Sequence, residues 1–166
     1  MKNLIFLDID GVLNCQLHYE ATPNPHKDST KEEFTDYHFC KTRIGWLNEL
    51  CQETNSVVVI SSTWRSDGLE EMQEVFKRNG ATFEIMDITP YCKCRVRGVE
   101  IDKWLKDNTF LRFGVASHEF YRFVIIDDDS DMMLYQGPHF FQTDTYSGLT
   151  PNTCYRIKRF LTHKTF

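Results

Sequence analysis

Residues 2–13 read Lys2-Asn3-Leu4-Ile5-Phe6-Leu7-Asp8-Ile9-Asp10-Gly11-Val12-Leu13. A short apolar run that stops abruptly at acids is the mark of a strand inside a parallel sheet, which has helices on both faces and so shows no polar alternation. The mark returns twice. Val57-Val58-Val59-Ile60 ends at Ser61-Ser62-Thr63, and Phe123-Val124-Ile125-Ile126 ends at Asp127-Asp128-Asp129-Ser130-Asp131. Two weaker runs, residues 82–88 and 139–142, are expected to add a third and a fifth strand.

Helical patterns lie between these runs. Ile44, Leu47, Leu50 and Cys51 recur at helical spacing over residues 41–53, and Leu69, Met72, Val75 and Phe76 do so before Asn79-Gly80 closes the segment. Ile101, Trp104 and Leu105 mark a helix of about ten residues after Gly98, by the same spacing rule. Thr150-Pro151, an N-cap followed by proline in the first turn, opens a last helix through Leu161. Strands alternating with helices predict one α/β domain over residues 1–166, a three-layer doubly wound parallel sheet. Residues 15–40 are polar and contain Thr22-Pro23-Asn24-Pro25, so they are expected to form a small flap inserted after the first strand.

Composition narrows the function. The 166 residues are 41% hydrophobic, with 13 Phe, 7 Tyr and 3 Trp, enough for a packed core and too much for disorder. A net charge of −5 argues against a general polyanion binder, so any nucleic-acid contact must be local. No apolar run approaches the roughly 20 residues of a membrane helix, and Asp8 arrives too early for a signal peptide. The expectation is a soluble cytoplasmic protein whose six cysteines are reduced thiols. Cys92-Lys93-Cys94 is the only close cysteine pair, and reduced structural or surface thiols are expected there rather than a metal site.

In open parallel sheets the ligand site lies beyond the carboxyl ends of the strands. If the three main strands are neighbours, Asp8 and Asp10, Ser61 to Thr63, and Asp127 to Asp131 converge on one crevice. Crowded carboxylates repel and protonate unless a cation neutralises them. Hard oxygen donors of this kind suit Mg²⁺, commonly completed by phosphate oxygens.

These residues resemble the motifs of the haloacid dehalogenase (HAD) superfamily. Residues 6–13 resemble its first motif, DxDG followed by apolar residues; residues 57–61 resemble the second, and residues 123–131 the fourth. More narrowly, Leu13-Asn14, Ser61-Ser62-Thr63-Trp64-Arg65, Arg97-Gly98-Val99-Glu100-Ile101, Trp104-Leu105 and Gly148-Leu149-Thr150 resemble a subgroup associated with RNA-repair proteins.

The resemblance implies roles. Asp8 would attack phosphorus and form an aspartyl-phosphate, and Asp10 would protonate the leaving oxygen and later deprotonate water. Family dehalogenases lack that second carboxylate, so phosphatase or phosphotransferase chemistry is favoured. Ser61 would hydrogen-bond a phosphoryl oxygen. Mg²⁺ would be held by the Asp8 carboxylate, the Asp10 carbonyl and Asp127; Asp128 is grouped with this set, and Asp128 or Asp131 would stand behind it. The third motif normally supplies a lysine near the start of the helix before the fourth; here Arg97 fits by position and Lys103 by residue type. Ser62, Arg65 and Lys103 are candidate substrate contacts, with a salt bridge to a site carboxylate as the alternative for Arg65.

The flap is too short for a helical-bundle cap, so the site is expected to be open and to suit a polymer end. His18, Tyr19, His26, Phe34, Tyr37, His38 and Phe39 of the flap either stack on bases or pack on the domain, the second being favoured. The expected activity is a Mg²⁺-dependent phosphatase acting on a phosphorylated RNA or DNA end, the 3′-phosphate favoured, or on a nucleotide. The alternatives are a small-metabolite phosphatase and a non-catalytic phosphate- or nucleic-acid-binding scaffold.

Overall fold

The computed structural model describes residues 2–113 and 122–163, and the side chains of residues 2–108 and 122–163. Its centre is a sheet of five parallel strands: β1 (Asn3–Leu7), β2 (Ser56–Ile60), β3 (Ile85–Ile88), β4 (Phe123–Asp127) and β5 (Phe140–Gln142). Their order is β3-β2-β1-β4-β5. The three runs read as buried strands are therefore adjacent, with β1 in the middle. Leu7 is level with Ile60 of β2 and Ile126 of β4, so the chain leaves all three strands at the same height.

Among the described residues six α-helices accompany the sheet: α1 (Gln16–Ala21), α2 (Lys31–Tyr37), α3 (Lys41–Thr54), α4 (Leu69–Arg78), α5 (Arg97–Phe113) and α6 (Pro151–Thr162). Ile5 and Leu7 of β1 face a core built with Ile44, Leu47 and Leu50 of α3, Met72, Val75 and Phe76 of α4, and Ile157 and Leu161 of α6. Leu4 and Phe6 face the other way, onto Ile101, Trp104 and Leu105 of α5. These are the three layers of the expected architecture. Helix α5 runs over 17 residues, longer than the apolar spacing of its first half indicates. The N-cap read at Thr150 is formed, its hydroxyl accepting from Thr153 N at 3.2 Å.

The segment after β1 contains two short helices either side of the Thr22–Pro25 break. Thr30 and Glu33 close a capping box on α2, a pattern present in the sequence as Thr-x-x-Glu. The flap's rings pack together: Tyr19 lies 5.5 Å from Tyr37, and His38 and Phe39 each lie 5.4 Å from Trp64. Phe39 continues to Phe76 in the core. Among the described residues no helix is long and apolar enough to cross a membrane.

One glycine in α5 is set by close approach. A Cβ on Gly98 would lie 2.5 Å from Met133 N and 2.7 Å from Gln136 Oε1. Helix propensity alone favours Ala over Gly by about 1 kcal/mol. We expect Gly98→Ala nevertheless to destabilise the fold by about 1–3 kcal/mol, the usual range for overpacking. A lowered urea midpoint checks it, and a raised midpoint would mean that the Met132–Met133 backbone yields freely.

Candidate active site

Asp8 is the first residue after β1, and its backbone N–H still donates to Ile126 O of β4 at 2.9 Å, which fixes it at the sheet's carboxyl edge. The residue is 6% exposed. Burial pushes its pKa up, against the opposing pull of the Arg97 guanidinium and a hydrogen bond from the Ser62 hydroxyl. Asp127, at the end of β4, is also pushed up, first by burial and then by the Asp8 charge. Carboxylate oxygens of Asp8, Asp127 and Asp128 lie within 4.8 Å of one another.

Gly11 permits this crowding. Its φ is +67°, a conformation that side-chain-bearing residues rarely adopt, and a Cβ there would lie 2.1 Å from Asp128 Oδ2. The Asp128 carboxylate accepts from Thr145 Oγ1 at 2.9 Å. Asp127 accepts from Asp129 N at 3.0 Å.

Asp10 is exposed, and its charge adds to the upward push on Asp8. Its carboxylate accepts from Asn14 Nδ2 at 2.7 Å and from Trp64 Nε1 at 3.1 Å to each oxygen. Asn14 Oδ1 in turn accepts from Gly11 N at 3.1 Å, closing the loop after β1. Trp64 sits in the 3₁₀ turn Thr63–Asp67 that follows β2. The loop after β1 and the turn after β2 thus jointly hold the second acid.

Ser61 and Ser62 are both buried. Ser61 continues β2 by donating its N–H to Leu7 O, and its hydroxyl accepts from Thr89 Oγ1 at 3.4 Å. Ser62 is the residue whose hydroxyl meets Asp8.

The two third-motif candidates part company. Arg97 opens α5, and its guanidinium spans three acids: Nε to Asp127 at 3.2 Å, Nη2 to Asp8 at 3.5 Å and Nη1 to Glu100 at 3.7 Å. Its backbone N–H donates to Asp131 Oδ2 at 2.8 Å, so Asp131 caps the helix while Asp128 joins the carboxylate cluster. Lys103 lies on the wet face of α5 and pairs with Asp107 at 2.7 Å. The helix brings Arg97 into the crevice and leaves Lys103 outside it.

Arg65 is buried, with every guanidinium nitrogen engaged by the protein. Nε donates to Thr89 O at 2.9 Å, Nη1 to Ser62 O at 2.5 Å, and Nη2 to Glu100 Oε2 at 2.5 Å. Its carboxylate partner is Glu100, which lies outside the strand-end acids expected to form the site. Glu100, 3% exposed, also accepts from Cys92 N at 3.0 Å. It orients both arginines, yet the sequence showed it only as one letter of a short string. The available signal was an acid on the stripe of α5 that Trp104 buries, one turn away at i+4. Trp64 and Asn14 lie within the family-like motifs but carry no role there; Thr89 lies in a loop and carries no sequence signal.

Carboxylates at the ends of the first and fourth strands, a hydroxyl pair after the second and an arginine from the start of α5, on a five-stranded parallel sheet, define a HAD-like Rossmannoid domain. The family described as the HAD domain in Swiss Army Knife RNA repair proteins matches residues 4–154, and the chain belongs to it. No curated protein and no solved structure matches. HAD-type hydrolase chemistry is the class of activity that this membership supports.

Proposed function

We propose that the chain is a Mg²⁺-dependent phosphomonoester phosphatase that works through an aspartyl-phosphate on Asp8. Its substrate is a nucleic-acid end, the 3′-phosphate favoured, or a nucleotide. The observation that carries this reading is the division between two acids two residues apart. Asp8 is buried among Arg97, Ser62 and Asp127, while Asp10 is exposed and held by hydrogen bonds from Trp64 and Asn14.

In the first step an Asp8 oxygen attacks phosphorus, the bond from phosphorus to the leaving oxygen breaks, and Asp10 gives that oxygen its proton. In the second, water attacks the phosphorus, its proton passes to Asp10, and the bond to Asp8 breaks to release inorganic phosphate. Arg97 and the Ser61 and Ser62 hydroxyls supply positive charge and donors for the phosphoryl oxygens. Asp8, Asp127, Asp128 and the Asp10 carbonyl would hold Mg²⁺. The donor set fits a hard dication: all oxygens, and two buried carboxylates held above their usual range chiefly by burial, Asp127 also by the Asp8 charge. When bound, the ion neutralises charge on the carboxylates and the phosphoryl group. The flap at residues 15–40 borders Asp10 through Trp64, and the family's link to RNA repair supports a polymer end over a small metabolite.

Phosphate release tests the reading, with Mg²⁺ or EDTA, on an aryl phosphate, mononucleotides, and oligonucleotides with a 5′- or 3′-phosphate. We expect Mg²⁺-dependent turnover that prefers one oligonucleotide end. Asp10→Asn is expected to lower it by about 10²–10⁴-fold, the usual worth of a general acid. Preference for mononucleotides or the aryl ester alone would favour the small-molecule reading, and no release on any substrate would favour the scaffold.

A further inference from the structure

Beside the carboxylate cluster lies a recess of about 330 Å³, lined by Thr63, Arg65, Tyr91, Arg95, Arg97 and three acidic residues. Arg97 belongs to both, so the recess adjoins the acids that would meet a phosphate. Its volume is at the small end of ligand pockets. Tyr91 is the one large apolar surface in an otherwise charged and polar lining.

Tyr91 is 57% exposed, yet its ring is pinned at two points. The hydroxyl donates to Thr63 O at 3.1 Å, and the Arg65 guanidinium lies over the ring, 4.0 Å from its centroid. That guanidinium is itself immobilised by Thr89, Ser62 and Glu100. The Thr63 carbonyl is one residue before Trp64, which holds Asp10, so a single turn positions both the proposed acid and the aromatic ring. An aromatic ring fixed in orientation loses little freedom when a planar group stacks on it. Arg95, exposed and in the left-handed region at φ 53°, adds a cation to the same wall and makes no ion pair among the described residues.

We infer that Tyr91 is a stacking platform for the nucleobase of the phosphorylated nucleotide, with Arg95 facing its backbone; the inference rests on the phosphatase reading above. An aromatic face next to an uncommitted cation suits a nucleotide. A small sugar phosphate has no planar group to use the ring.

The test compares two oligonucleotides that end in the same phosphate, one with a normal terminal nucleotide and one with an abasic terminal residue, alongside an alkyl phosphate. The native protein should favour the base-bearing end by about 5- to 150-fold in kcat/KM, the range base–aromatic stacking gives. Tyr91→Ala should abolish that preference while leaving the abasic and alkyl substrates unchanged. Tyr91→Phe, which keeps the ring, should retain most of it. An undiminished preference in Tyr91→Ala, or equal loss on all three substrates, would overturn the platform.

Binding separates this inference from the reading beneath it. Asp8→Asn protein, and the same protein carrying Tyr91→Ala, are titrated with both oligonucleotides. A base-dependent loss of affinity on removing Tyr91 would support the platform even if no phosphate release is found on any substrate. Equal affinities would overturn the platform while leaving measured phosphatase activity intact.

Discussion

Asp8→Asn is expected to lower Mg²⁺-dependent phosphate release by about 10⁴-fold or more, the scale on which enzymes lose activity when an essential nucleophile is removed. Asparagine matches the carboxylate in size, and its oxygen can still accept the Ser62 hydroxyl, so the loss falls on chemistry rather than on packing. The same substitution should leave the metal-free protein at least as stable as the native one. Asp8 and Asp127 are both buried and both pushed up in pKa, and they share Arg97 as their nearest cation. Removing one charge relieves a repulsion that is tolerated for function, the usual exchange of stability for activity at such sites. Thermal unfolding in EDTA reads the second outcome and phosphate release the first. Native-like turnover in Asp8→Asn would remove the aspartyl-phosphate from the mechanism.

The largest effect on stability is expected at Glu100. Glu100→Ala leaves the Arg65 guanidinium buried without its anion, and also takes an acceptor from Cys92 N and a neighbour from Arg97. Breaking a buried pair by removing one partner costs about 3–5 kcal/mol, because the remaining charge stays desolvated. For a chain of this size that is roughly a 10 °C fall in Tm. Replacing both partners by apolar residues, Arg65→Met with Glu100→Leu, should recover at least half of the loss, since no uncompensated charge then remains. Urea denaturation of the single and double variants decides it. A double variant as unstable as Glu100→Ala would locate the loss in the Cys92 and Thr89 contacts rather than in the buried charge.

Activity should fall in both variants, for a reason the geometry makes visible. The Arg65–Glu100 pair touches the loop carrying Thr89, the Ser62 carbonyl and the Tyr91 ring, and Glu100 also faces Arg97. It ties the turn after β2 to the start of α5, so Ser62 and Arg97 lose their common support together.

The strands and the acids at their ends were legible in the sequence because a buried parallel strand has one appearance whatever its neighbours. Residues 4–7, 57–60 and 123–126 are apolar without interruption and stop at polar residues where the strands end at the carboxyl edge of the sheet. Asp8, Asp10, Ser61, Ser62, Asp127 and Asp128 follow from those stops, since the backbone carries each to the same edge. Strand order was not legible from the runs themselves. It depends on which strands pair, and β1 became central through pairing with β2 and β4.

Choices between residues of like type were left to the tertiary structure. Arg97 and Lys103 are six positions apart, which on a helix places them on different faces. Only packing of Ile101, Trp104 and Leu105 onto the sheet decides that Arg97 turns to the acids and Lys103 to water. Arg65 reads as a cation beside a phosphate site, but its long side chain reaches a carboxylate 35 positions along the chain and is buried there. Tyr91 gave no sign at all, because a loop residue's orientation comes from the partners that pin it, here Thr63 and Arg65. Periodicity and strand ends are local properties and survive in the sequence. Long-range pairing of buried charges is a property of the folded chain, where low dielectric makes each charge depend on the partner that the fold delivers.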